Sequence, residues 1–128
     1  SKKSKMDFVT VGTEFVNHYY QTFDTNRAGL SNLYTADSML TWEDEQFKGV
    51  ESIMEKIGSL SFQKIQHQVF RMDFQPSIGG SILVSSTGQL LMDEDSNGIP
   101  FAQSFVLNQA NGAWYVHNDI FRLNIMAQ

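Results

Sequence analysis

Residues 8–23 read FVTVGTEFVNHYYQTF, and this stretch decides the first element of the fold. Apolar and aromatic side chains recur along it with the spacing of one helix face, at Phe8, Val11, Phe15, Tyr19 and Phe23. The pattern predicts an amphipathic helix of about four turns that begins near Asp7. A face with so many aromatic rings needs a large apolar surface to cover it.

Two shorter helices are predicted further along the chain. One covers residues 27–34, and the other runs from just after Gly49 to about residue 60. The second of these sets apolar side chains at positions i, i+3, i+4 and i+7, namely Val50, Ile53, Met54 and Ile57. Residues 37–42 lie between the two helices and have strand character.

Everything after residue 63 has the character of strands separated by turns. Four strands are predicted, over residues 64–75, 81–92, 101–108 and 113–123. Along the first of these, the apolar alternation changes phase from Ile65 and Val69 to Phe70, Met72 and Phe74, which predicts a bulge where the strand bends.

A sheet that bends can curl around a helix. We therefore predict an α+β fold in which a curved antiparallel sheet wraps around the long N-terminal helix. The shape would be a cone with a cavity, and its open mouth would lie near Trp42 and Phe62.

Length and charge limit the class of protein. The chain has 128 residues, no Cys, 14 acidic and 9 basic residues, and a net charge of −5. One domain over residues 7–128 is predicted, after a disordered basic tail at residues 1–6. We expect a soluble intracellular protein with no membrane insertion and no cofactor. Nucleic acid is not an expected ligand, whereas a basic protein partner suits the acidic body.

The acidic turn DEDSNG at residues 93–98 matches the first half of a calcium-binding loop. Such a loop needs a bidentate Glu at its twelfth position, where this chain has Ser104, and it needs helices on both sides. Strands flank the turn instead, so no metal site is predicted. The turn is then either a docking surface or a solvated hairpin tip.

An enzyme with the same fold is the alternative function. His67 shares a strand face with Ile65 and Val69, and Asp119 shares one with Phe121, so both are predicted to point inward. A buried His–Asp pair could supply acid and base catalysis of the isomerase or dehydratase type. A single His on an apolar face is more often a hydrogen-bonded core residue. His18 and His117 are weaker candidates, and the His spacings fit no metal motif.

The sequence also resembles a known family, nuclear transport factor 2, over residues 15–123. The blocks that carry the resemblance are HYYQTFD (18–24), LTWE (40–43), LSFQKIQH (60–67), GQL (88–90) with DED (93–95), and NDIFRL (118–123). The resemblance implies a noncatalytic homodimer that pairs through its sheet. It also implies a carrier that binds the GDP form of the GTPase Ran and the phenylalanine-glycine repeats of nucleoporins, returning Ran to the nucleus. Such a carrier would occupy the cytoplasm and the nucleus and concentrate at the nuclear pore and envelope.

The resemblance also implies roles for particular residues. Glu43, Asp93 and Asp95 would pair with basic side chains of the GTPase switch region. A switch phenylalanine would enter a cavity lined by Trp42, Leu60, Phe62, Ile65, Leu90 and Phe121. Trp42 would also contribute to binding the nucleoporin repeats.

The residues alone also allow purely structural roles at this site. Acidic turns are often only solvated, and aromatic residues often belong to the ordinary core. A related scaffold domain that binds other partners is a third possibility, against which Glu43, Asp93 and Asp95 together argue. Asp44 departs from some relatives, which have Gly after the Trp-Glu pair.

Overall fold

The computed structural model describes residues 7–94 and 97–123. Its α-helices are α1 (Phe8–Thr25) and α2 (Val50–Gly58), and Arg27–Leu33 and Ile78–Gly80 form short 3-10 helices. Its strands are β1 (Tyr34–Trp42), β2 (Glu45–Lys48), β3 (Ile65–Pro76), β4 (Ile82–Met92), β5 (Ile99–Ala110) and β6 (Ala113–Leu123). The predicted helices and the four long C-terminal strands are confirmed, with small shifts at their ends.

Helix α1 begins where the sequence pattern predicts. The carboxylate of Asp7 accepts a hydrogen bond from the backbone N–H of Val9 at 3.1 Å, which caps the first turn. The aromatic face then packs inward, since Tyr19, Tyr20 and Phe23 are all buried. The helix therefore supplies much of the apolar core.

Helix α1 approaches strand β3 very closely at Gly12. A Cβ atom at that position would lie 2.5 Å from Cδ1 of Phe74 on β3. Gly12 is buried, so the missing side chain is what lets the ring of Phe74 pack against the helix backbone. This contact sets the position of α1 relative to strand β3.

The described strands form one six-stranded sheet in the order β2-β1-β6-β5-β4-β3. The predicted antiparallel meander from β3 to β6 is confirmed, but the sheet as a whole is mixed rather than antiparallel, because β1 pairs with β6 in parallel. Strand β2 was not predicted, since it is short and polar and exists through its antiparallel pairing with β1. Hydrophobic alternation indicates which face of a strand is buried, but not its neighbour or direction.

The predicted bulge lies in strand β3. The pairing with β4 shifts register between Val69 and Arg71, so Phe70 is the extra residue. Met72 and Phe74 pack against the core, as the phase change predicts. The side chain of Phe70 is instead 66% exposed, because the bulge turns it to the outer face.

The core lies between α1 and the concave face of the curved sheet. Strand β4 alternates regularly, with Ile82, Val84 and Leu90 buried and Leu83 exposed on the other face.

Among the described residues, no helix is both long and apolar enough to cross a membrane.

Candidate functional site

Trp42 stacks with two other aromatic rings at one end of the cone. It is the last residue of β1 and lies beside Phe121 of β6 in the parallel register. The centroids of these two rings are 4.1 Å apart and their planes differ by 12°. The ring of Phe23, near the end of α1, lies 6.3 Å from that of Trp42 at an angle of 10°. Trp42 is therefore half-buried in a stack of rings.

Phe62 borders the same end of the cone from the connection between α2 and β3. The guanidinium carbon of Arg27 lies 4.5 Å from the centroid of the Phe62 ring. Nη1 of Arg27 also donates to the carbonyl oxygen of Ile57 at 3.4 Å. The centroid of Phe23 is 6.4 Å from that of Phe62. Sequence reasoning assigned neither Phe23 nor Arg27 to this site, although Phe23 ends the aromatic stripe of the first helix.

The six residues predicted to line a cavity fall into two groups. Ile65, Leu90 and Phe121 are buried members of the core, with little surface left. The half-buried members that pack against this core are Trp42, Leu60 and Phe62. All six therefore belong to or pack against one apolar core, and Trp42, Leu60 and Phe62 are the members that keep some exposed surface.

Glu43 lies in the turn between β1 and β2 with a φ of 59°. Its backbone N–H donates to the carbonyl oxygen of Phe121 at 2.9 Å. Its carboxylate Oε1 accepts from the backbone N–H of Leu123 at 2.7 Å. The side chain is therefore held against the end of β6 by the backbone of that strand.

Asp93, directly after β4, repeats this arrangement with a φ of 52°. Its carboxylate Oδ1 accepts from the backbone N–H groups of Gln63 at 2.7 Å and Lys64 at 3.0 Å. Its own N–H donates to the carbonyl oxygen of Lys64 at 2.9 Å. The hydrogen bonds from Lys64 and Gln63 hold the pKa of Asp93 below its ordinary value.

The rest of the acidic turn is described only in part. The carboxylate of Glu94 lies 3.3 Å from the Nζ of Lys64, and both side chains are exposed. Asp95, the third acidic residue expected to pair with a basic side chain of the partner, lies outside the described residues. A depression of about 470 Å³ beside the turn is lined by Asp24, Gln63, Lys64, Ile65, Gln66, Leu91, Asp93 and Glu94.

His67 and Asp119 both point inward, as predicted, but each has other partners. Nδ1 of His67 lies 2.7 Å from Oδ1 of Asp24, and the backbone N–H of His67 donates to Oδ2 of Asp24 at 2.9 Å. The imidazole stacks on the ring of Tyr20, with centroids 4.5 Å apart. His67 therefore joins β3 to the end of α1.

Asp119 is buried among neutral hydrogen-bond donors. The Tyr34 hydroxyl donates to Oδ2 at 2.7 Å, and the Gln103 amide donates to Oδ1 at 2.8 Å. The Tyr19 hydroxyl lies 2.6 Å from that of Tyr34 and 3.2 Å from Oδ2 of Asp119. Burial raises the pKa of Asp119 to about 6, and the three hydrogen bonds oppose this rise.

The opposite end of the cone holds a larger apolar groove of about 610 Å³. Its lining residues come from the start of α1, the β3–β4 connection and the β5–β6 hairpin, namely Phe8, Val11, Glu14, Phe15, Pro76, Gly80, Ser81, Ile82, Gln109 and Trp114. None of them was predicted as a site residue, although Phe8, Val11 and Phe15 belong to the apolar stripe of the first helix. Among the described residues, no cluster of His, Asp and Glu side chains is placed to hold a metal ion.

The fold defines the class of protein, an α+β cone in which a curved sheet encloses a long helix. Residues 11–123 match the model of the Nuclear transport factor 2 (NTF2) domain, and the chain belongs to this family. Nuclear transport factor 2 from Candida albicans is 51% identical over 120 residues, which cover 93% of this chain and 97% of that protein.

Solved structures agree with this assignment. The structure of nuclear transport factor 2 from Cryptosporidium parvum is similar with a TM-score of 0.87 and 46% identity, covering 91% of this chain and 94% of that one. A protein named for scytalone dehydratase, from Novosphingobium aromaticivorans, has a TM-score of 0.72 at 14% identity, covering 88% of this chain and 81% of that one. At that identity the likeness shows the fold alone. The names of the close relatives support a role in nuclear transport.

Proposed function

We propose that this chain is a noncatalytic homodimeric carrier that binds Ran in its GDP form and phenylalanine-glycine repeat nucleoporins. In this role it returns Ran to the nucleus, and it occupies the cytoplasm and nucleus with a concentration at the nuclear pore and envelope. Family membership supports the transport role. The observation that carries the Ran assignment is the pair of backbone-anchored carboxylates, Glu43 and Asp93, beside the aromatic mouth.

The charges in the depression beside the acidic turn suit a basic partner. Asp24, Asp93 and Glu94 line the depression beside the acidic turn, and Lys64 is the cation that faces them. A basic side chain of the GTPase switch region would enter a site with an excess of negative charge. Because the exposed charges of Asp93 and Glu94 are screened by water, they act mainly on the rate of encounter and on orientation.

The apolar part of the affinity would come from the half-buried residues Trp42, Leu60 and Phe62. Full burial of a phenylalanine ring of the partner against such a surface contributes about 1.5–3 kcal/mol. Selectivity for the GDP form follows if only one switch conformation presents this ring and the basic side chains together.

A pull-down that compares Ran loaded with GDP and with GTP tests this proposal. We expect retention of the GDP form and little of the GTP form. Charge reversal of Asp93 together with Asp95 should weaken Ran binding and leave repeat binding unchanged, because repeats carry no matching basic cluster. Equal retention of both nucleotide forms, or of neither, contradicts the assignment.

Repeat binding has two candidate places. Trp42 is the predicted one, but its ring already stacks on Phe121 and Phe23. The groove that contains Phe8, Phe15 and Trp114 offers about 610 Å³ to an aromatic side chain. Weak contacts at either place suit a carrier, since it must leave each repeat quickly.

Two substitutions separate these places, with a repeat peptide as the probe. Phe8→Ala should weaken peptide binding if the groove is the site, and Trp42→Ala should do so if the mouth is the site. Val9→Ala is the matched control, since Val9 is next to Phe8 but 42% exposed. An unchanged affinity in Trp42→Ala would remove the Trp42 assignment.

The alternative enzyme function has no specific support among the described residues. His67 bonds to Asp24, and Asp119 bonds to Tyr19, Tyr34 and Gln103.

A further inference from the structure

The connection between α2 and β3 carries two of the three half-buried apolar residues of the mouth. Residues 60–64 have no helix or strand hydrogen bonding of their own. Leu60 and Phe62 nevertheless pack against the core at defined positions. An irregular segment keeps a single conformation only where surrounding groups satisfy its backbone and hold its side chains.

The start of this segment is held by Arg27. Its guanidinium group bonds to the carbonyl oxygen of Ile57 near the end of α2 and lies over the ring of Phe62. This contact covers one face of the ring. It leaves the end of the segment, at Gln63 and Lys64, to be fixed by another group.

Asp93 fixes that end with three hydrogen bonds. Oδ1 accepts from the N–H groups of Gln63 and Lys64, and the Asp93 N–H donates to the Lys64 carbonyl oxygen. Within the described part of the chain, both side-chain bonds go to Oδ1, and Oδ2 is the oxygen proposed to meet a basic group of a partner. Asp93 therefore does more than present a charge.

We propose that Asp93 is a positioning residue for partner binding, which holds residues 60–64 so that Leu60 and Phe62 meet the partner in a preformed surface. This inference rests on the proposed function, because it assumes that the mouth binds a partner. A segment fixed before binding loses less conformational entropy on association than one that must become ordered. Loss of the anchor would then act mainly on dissociation, whereas loss of the charge would act on association.

Two substitutions of the same residue separate these effects. Asp93→Asn and Asp93→Gly each remove one negative charge, and Asn and Gly both tolerate the positive φ at this position. Asn keeps a side-chain carbonyl oxygen that can accept from Gln63 and Lys64, whereas Gly has no side-chain acceptor. Glu94→Gln is the matched charge control, since the Glu94 side chain contacts the Lys64 side chain and not the backbone of the segment.

The first measurement is the kinetics of binding to GDP-loaded Ran. All three variants should associate more slowly than the wild type to a similar degree at low salt. The Gly variant alone should dissociate about tenfold faster, as expected when a preformed surface is lost. Equal dissociation rates for Asp93→Asn and Asp93→Gly would overturn the inference, since Asp93 would then act through its charge alone.

The second measurement needs no partner. Hydrogen exchange at the amides of Gln63 and Lys64 should be about tenfold faster in Asp93→Gly and close to wild type in Asp93→Asn. The amide of buried Phe105 should exchange at an unchanged rate, which would show that the fold is intact. Unchanged exchange at Gln63 and Lys64 in the Gly variant overturns the positioning role. If the wild type fails to bind GDP-loaded Ran, the proposed function and the binding half of the inference fall, while the exchange rates still decide whether Asp93 holds the segment.

Discussion

At the scale of single residues, polar side chains inside this protein are held in groups. Asp24 joins His67 to the end of α1, and Asp119 joins Tyr34 of β1 to Gln103 of β5. A buried carboxylate is tolerated when several donors bond to it, but its charged form remains costly. Both groups therefore connect distant parts of the chain, and the burial of Asp119 makes stability depend on pH.

Asp119 should make the protein less stable as the pH rises from about 4 to about 6. Its folded pKa is about 6, against an ordinary value of 3.8. The folded state therefore binds a proton in this range that the unfolded state has lost, so this contribution is complete below pH 3.8 and disappears by about pH 6. The contribution of Asp119 to the free energy of unfolding changes by about 3 kcal/mol over this range, since its pKa rises by about two units on folding and one unit corresponds to about 1.36 kcal/mol.

Urea unfolding at a series of pH values checks this expectation. Asp119→Asn should remove most of the decline between pH 4 and 6, because the amide does not titrate. Asp93→Asn is the control. The pKa of Asp93 is lowered on folding, so its contribution is lost only as the pH falls below that range, and the decline should persist in this variant. A flat wild-type profile contradicts the assignment.

At the scale of elements, the closest approach is that of α1 to β3. Gly12→Ala should destabilise the protein by about 1–3 kcal/mol, because the added methyl group forces Phe74 from its position. This loss exceeds the gain in helix propensity, which is about 1 kcal/mol. Thermal unfolding measures the difference.

Gly58→Ala is the matched control for this prediction, since Gly58 also lies in a helix but has no heavy atom near its added Cβ. That substitution should be neutral or slightly stabilising. Phe74→Leu should recover part of the loss in the Gly12→Ala background, because a smaller side chain makes room for the methyl group. A stabilised Gly12→Ala protein would show that the helix shifts at little cost.

At the scale of the whole molecule, the outer face of the sheet is the surface proposed for self-association. Ser85, Ser104 and Ile120 lie in one row across β4, β5 and β6, and Thr87, Ala102 and Arg122 lie in the next. Small side chains with isolated apolar ones make a flat face that a second copy could cover. Ile120 is 49% exposed there, although its neighbours in sequence are buried.

Ile120→Asp should convert the proposed dimer to a monomer, because association would bury an unpaired carboxylate. Sedimentation velocity measures the change. Ile78→Asp is the control, since Ile78 is 91% exposed and lies in the β3–β4 connection outside the sheet. A dimer that persists in Ile120→Asp would assign self-association to another surface.

The sequence alone predicted most of the elements. Helical spacing identified α1 and α2, and strand alternation identified the four long strands with the bulge in β3. These signals are local, because helical and strand periods are properties of consecutive residues. The partners of His67 and Asp119 had no such signal, since Asp24 and Tyr34 are distant from them along the chain.

The sequence by itself determined the α+β class and the inward faces of the helices and long strands. Only the tertiary structure decided that β1 runs parallel to β6, that Trp42 stacks on both Phe23 and Phe121, and that the backbones of Leu123 and Lys64 anchor Glu43 and Asp93. The physical reason is that these contacts join residues that are distant along the chain. A residue's type fixes which bonds it can form, whereas its partner depends on where distant segments pack.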